Sequence, residues 1–75
     1  MLKNDIGINA GTIWRLLSEK GKLSLKEIIE FTDYKEYYIL LALGWLSREN
    51  KISFSDKNGI LYVEINVYQM SEMYY

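Results

Sequence analysis

The chain contains no cysteine and no histidine in 75 residues. Without cysteine there is neither a disulfide framework nor a thiolate metal site. Without histidine, imidazole is lost as general base, proton switch and metal ligand. No stretch approaches the roughly 20 apolar residues of a membrane-spanning helix, and the opening Met-Leu-Lys-Asn-Asp lacks the apolar segment of a signal peptide. A Gly-rich phosphate loop is also missing. Gly7 and Gly11 sit four apart in the first helical segment, and Gly44 lies within the third. Gly44 reads as a place where another backbone approaches closely, or where crowding beside Trp14 and Trp45 is relieved. The ten acidic residues fall on faces expected to meet solvent, away from any apolar pocket that would raise a carboxyl pKa for acid–base work. The expectation is a cytoplasmic protein that is not an enzyme, with no cofactor, no metal and no membrane segment.

What is present is apolar and aromatic. Hydrophobic residues make up 49% of the chain and aromatics 15%, both too high for a disordered segment. The length suits one small domain. Such a domain buries about 60% of its unfolded surface and is marginally stable unless packing or oligomerisation helps. Seven Tyr and two Trp exceed what a core of this size encloses, so some must lie near the surface.

Ile6, Ala10, Ile13, Trp14 and Leu17 fall on one helical stripe, predicting a first helix from near Asp5, capped by Asn4 or Asn9, to a C′ glycine at Gly21. Ser24-Leu25-Lys26-Glu27 matches a capping box and opens a second helix near 25–31. A turn of two or three residues leads to a third helix near 34–49, with Thr32 or Asp33 as its cap. Lys51–Ser55 alternates as a strand, Asp56-Lys57-Asn58-Gly59 signals a hairpin, and residues 60–67 return. Helix, helix, long helix and two strands outline an α+β winged helix-turn-helix, three-stranded if Lys22–Ser24 joins the sheet. Residues 1–67 form the domain, and 68–75 form a tail that is either mobile or partner-bound. Expected core positions are Ile13, Trp14, Leu17, Leu25, Ile28, Ile29, Leu43, Leu46, Ile52, Phe54 and Val63.

Two segments carry a closer likeness: Ile6-Gly7…Ala10-Gly11-x-Ile13-Trp14-x-x-Leu17, and Ala42-Leu43-Gly44-Trp45-Leu46-Ser47-Arg48-Glu49-Asn50-Lys51-Ile52. Together they resemble a family of small bacterial and archaeal winged helix-turn-helix proteins of unknown function. The resemblance covers roughly residues 5 to 65, and its more specific part is Gly-Trp-Leu-x-Arg-Glu-Asn-Lys-Ile. It implies the fold, and no catalytic or ligand residues come with it.

At about 100° per residue the third helix carries two apolar arcs. Ile39, Ala42, Leu43 and Leu46 are expected to face inward. Tyr34, Tyr37, Tyr38, Leu41, Trp45 and Arg48 form the other arc, which in a DNA-binding member enters the major groove. Three readings stay open for it. Trp45 and Tyr38 pack against the wing and first helix, leaving Tyr34 and Tyr37 exposed; the arc is a protein interface; or it reads bases. Charge disfavours the last, because residues 27–50 hold five carboxylates against Lys35 and Arg48, whereas DNA affinity depends on neutralising phosphates. Lys3, Arg15, Lys20, Lys22 and Lys26 either form a modest basic patch near the second helix's N-terminus or are scattered solvated charges. Lys57 and Asn58 at the wing tip either touch a minor groove or form a solvated turn. The function classes left are a DNA-binding transcription regulator, by analogy of fold, and a protein-interaction or dimerisation module that does not bind DNA. Self-association as a homodimer is expected, through the Tyr34/Tyr37/Leu41 arc and the tail residues Tyr68, Met70, Met73, Tyr74 and Tyr75.

Overall fold

Ala10, Ile13 and Leu17 recur at intervals of three and four, and all are buried on one side of helix α1, Lys3–Lys20, in the computed structural model. Residues 3–66 are described. Because α1 begins at Lys3 rather than near Asp5, Asn4 and Asn9 lie inside the helix and do not cap it. Burial of the apolar stripe outweighs the cost of about 1 kcal/mol that each of Gly7 and Gly11 imposes on helix formation. Gly21 closes α1 at φ 81°, its N–H donating to the Leu17 carbonyl at 2.9 Å.

A two-residue strand, β1 (Leu23–Ser24), runs directly into helix α2 (Leu25–Thr32). The capping box forms as expected: the Glu27 N–H donates to Ser24 Oγ at 3.1 Å, and the Ser24 N–H donates to Glu27 Oε1 at 2.8 Å. Ser24→Ala should therefore cost about 1 kcal/mol, measured as a lower urea midpoint at an unchanged m value.

Helix α3 spans Glu36–Arg48, and its cap departs from the expectation. Neither Thr32 nor Asp33 caps it; both finish α2 instead. Asp33 sits at φ 58° and donates its N–H to the Ile29 carbonyl at 2.8 Å. Thr32 Oγ1 donates to the Ile28 carbonyl at 2.7 Å and accepts the Tyr34 N–H at 3.2 Å. A short turn between helices needs a left-handed residue, and aspartate tolerates that conformation. Lys35 is left at the N-cap, without a side-chain bond. Asn50 ends α3 in a Schellman arrangement: it adopts φ 59°, its N–H donates to the Ser47 carbonyl at 3.0 Å, and the Lys51 N–H donates to Leu46 at 3.0 Å. Asn66 ties this corner to the end of the sheet, its Nδ2 reaching the Asn50 carbonyl at 3.1 Å.

Strands β2 (Ile52–Lys57) and β3 (Ile60–Ile65) form an antiparallel hairpin, and β1 pairs with the far side of β3, giving the order β1-β3-β2. The wing is therefore three-stranded. Asn58 and Gly59 take φ 55° and 81°, as a two-residue hairpin turn of this twist requires, and the Gly59 N–H donates to Asp56 Oδ1 at 3.0 Å. Leu23 and Phe54 both pair with Val63, and Ile52 pairs with Ile65, so one face of the sheet is apolar.

That face closes onto the three helices. Buried there are Ala10, Ile13, Leu17, Leu23, Ile28, Ile39, Ala42, Leu43, Leu46, Ile52 and Val63. Trp14, Leu25 and Ile29, expected inside, are half-buried and pack against this cluster. Phe54 is a correction. It shares a face with Ile52 but lies nearer the wing tip, where the helices no longer cover the sheet, and exposure rises from 4% at Ile52 to 44% at Phe54.

Candidate partner-binding face of the third helix

α3 buries Ile39, Ala42, Leu43 and Leu46, the arc expected to face inward. The second arc does not stay together. Tyr34 and Trp45 are half-buried against the core, and Tyr38 is half-buried on the same flank of α3 as Trp45. Tyr37, Leu41 and Arg48 face solvent, with Tyr37 53% and Leu41 46% exposed.

Near the start of the helix, the rings of Tyr37 and Tyr38 lie 4.4 Å apart and tilted by 50°. Lys35 Nζ stands 6.0 Å from the Tyr37 ring centroid, at the outer limit of a cation–π contact. The Tyr38 hydroxyl is held above the ordinary tyrosine pKa, chiefly by hydrogen bonding with the Tyr37 side chain, then by that neighbour's charge and by partial burial.

Sequence reasoning gave no site role to the residues that complete the face. Leu40, Gly44 and Ser47 form a solvent-facing row along α3, and across from them stand Phe54 and Leu61 of the wing. With Leu43 they line an open groove of about 410 Å³ between helix and sheet. The available signals were the four- and three-residue spacing of Leu40, Gly44 and Ser47, and the pairing that puts Phe54 and Leu61 on the core face of the hairpin. Gly44 is also corrected. A Cβ there would meet nothing within 4 Å, so within the chain it neither admits a close backbone nor relieves crowding by tryptophan.

Lys26 is exposed in the first turn of α2, and Lys57 and Asn58 are exposed at the wing tip. The other basic side chains are dispersed. Lys20 Nζ lies 4.7 Å above the Phe31 ring near the far end of α2, Arg15 shares a cleft with Glu19, and Lys22 shares another with Glu64. Among the described residues no group of three or more carboxylates is placed to hold a metal ion, and no helix is long and apolar enough to cross a membrane.

This arrangement of helices and wing recurs in solved structures. The solution structure of protein BT2368 from Bacteroides thetaiotaomicron superposes with a TM-score of 0.81 at 33% identity, over 92% of this chain and 84% of that one. HlyU from Vibrio cholerae superposes with a TM-score of 0.73 over 97% of this chain and 89% of its own, a likeness of fold alone at 17% identity. In sequence, the uncharacterized protein MJ1608 of Methanocaldococcus jannaschii is 39% identical over 49 residues, which are 63% of this chain and 70% of that protein. Residues 1–65 match the family described as winged helix-turn-helix domain (DUF2582), and the chain belongs to that family.

Proposed function

We propose that this winged helix is a protein-interaction module, working in the cytoplasm without catalysis, cofactor or metal. One observation carries the reading: the helix face that enters the major groove in DNA-binding members is here built from Tyr37, Leu40, Leu41 and Gly44, and continues onto Phe54 of the wing. Base edges are read by Arg, Lys, Asn, Gln, Ser and Thr, and on this face only Ser47 and Arg48, with Lys35 at its N-terminal end, are of that kind. Exposed contiguous apolar surface with tyrosine and arginine is instead the composition of protein interfaces. The electrostatics agree, since α2 and α3 with their connecting turn carry more carboxylates than cations.

A DNA-binding transcription regulator is the second reading. It is favoured by the fold and by the exposed Lys26, Lys57 and Asn58 on the elements that flank a bound duplex in this class, but fold alone is an analogy. Fluorescence anisotropy of a generic labelled duplex separates the two. The interaction module shows no binding at low salt up to tens of micromolar protein, about the strength of ordinary non-specific DNA binding. Micromolar binding that weakens steeply with added salt would establish the regulator.

A further inference from the structure

We infer that the partner of this face is a second copy of the chain, docked through antiparallel pairing of α3 with its symmetry mate. The inference rests on the interaction reading above and adds the identity and register of the partner. Two observations carry it, one of shape and one of charge.

The shape observation is Gly44. It lies in the middle of the solvent face of α3, with open space where a Cβ would be, and it helps line the groove walled by Leu40, Phe54 and Leu61. Two residues to one side of Ala42 stands Leu40, a 46% exposed knob; two residues to the other side is Gly44, the gap. A two-fold axis crossing the outer surface of α3 at the level of Ala42 sets Leu40 of each copy over Gly44 of the other. Each leucine then fills the groove of its mate, and the contact is made twice, as an isologous interface requires.

The charge observation fits the same register. Glu36 in the first turn and Arg48 in the last turn are both exposed and equally far from Ala42. In the antiparallel pair Glu36 of one copy faces Arg48 of the other at both ends of the interface. A parallel pair would oppose Glu36 to Glu36 and Arg48 to Arg48. Charge thus selects the orientation that shape independently favours.

Sedimentation equilibrium of the full chain tests this. The parent protein should move from 8.9 kDa toward twice that mass as its concentration rises, with the weak, reversible association of a small interface. Glu36→Arg and Arg48→Glu should each weaken association about tenfold, and the double variant should recover most of it. Gly44→Gln should retain the parent's far-UV circular dichroism and lose the dimer. A single 8.9 kDa species throughout overturns the inference, as does a dimer indifferent to these substitutions. A monomer that also ignores duplex DNA overturns only the self-pairing, whereas a chain that binds DNA overturns the interaction reading beneath it.

Discussion

Truncating Ile13 to Ala is expected to remove most of this domain's stability. Ile13 is fully buried at the centre of α1, within the cluster shared by all three helices and the sheet. Loss of a buried isoleucine's outer carbons forfeits their transfer free energy and leaves a cavity, about 2–5 kcal/mol together. A domain of this size has roughly 4–11 kcal/mol in total at 0.05–0.15 kcal/mol per residue. The melting temperature should fall by roughly 10–30 °C, read by circular dichroism or calorimetry. A fall of only a few degrees would mean that the helices close over the vacancy, and that the core is looser than its burial implies.

The second large effect is expected on α3 and has an instructive counterpart two residues away. Ala42 is fully buried, on the side of α3 that faces the core, and Ala42→Leu adds three carbons where none fit. Overpacking of this kind costs about 1–3 kcal/mol. At Gly44 the same helix faces open space, so Gly44→Ala in the dilute monomer should instead stabilise by up to about 1 kcal/mol through helix propensity. Parallel denaturation curves should therefore move in opposite directions. Two shifts of the same sign would contradict the assignment of the inner and outer faces.

Much of this architecture was legible in the sequence because local chemistry and tertiary structure agree. The Ser24–Glu27 capping box, Gly21 after α1 and Asn58-Gly59 in the hairpin each satisfy a backbone requirement that no distant contact alters. The α3 cap failed for a physical reason. Thr32 and Asp33 can either end one helix or begin the next, and the turn geometry, not the residue type, decides which. Phe54 failed similarly. Strand alternation gives the face of a residue correctly but is blind to how far the helices extend over that face.

The candidate site was harder to read. Helical angles separated the inner arc well, yet they assigned Tyr34, Tyr38 and Trp45 to the same outer arc as Tyr37, Leu41 and Arg48. Neighbouring elements cover one flank of a helix more than the other, and that asymmetry is tertiary. Leu40 drew no reading and Gly44 drew a packing one, because a leucine and a glycine carry no functional signature alone. They acquire one only opposite Phe54 and Leu61. The tail from 68 to 75, assigned in part to self-association, lies outside the described residues.

The most direct test is a residue-resolved map of backbone amide shifts, recorded through a dilution series and then with duplex DNA at low salt. Dilution should move the amides of Tyr37, Leu40, Leu41, Gly44 and Phe54 together, while those of Ile8 and Phe31, exposed apolar residues elsewhere, stay in place. Addition of DNA should move none of them. Saturating DNA-dependent shifts along Tyr37, Leu41, Arg48, Lys57 and Asn58, with no response to dilution, would instead show that the third helix of this protein is a reader of nucleic acid.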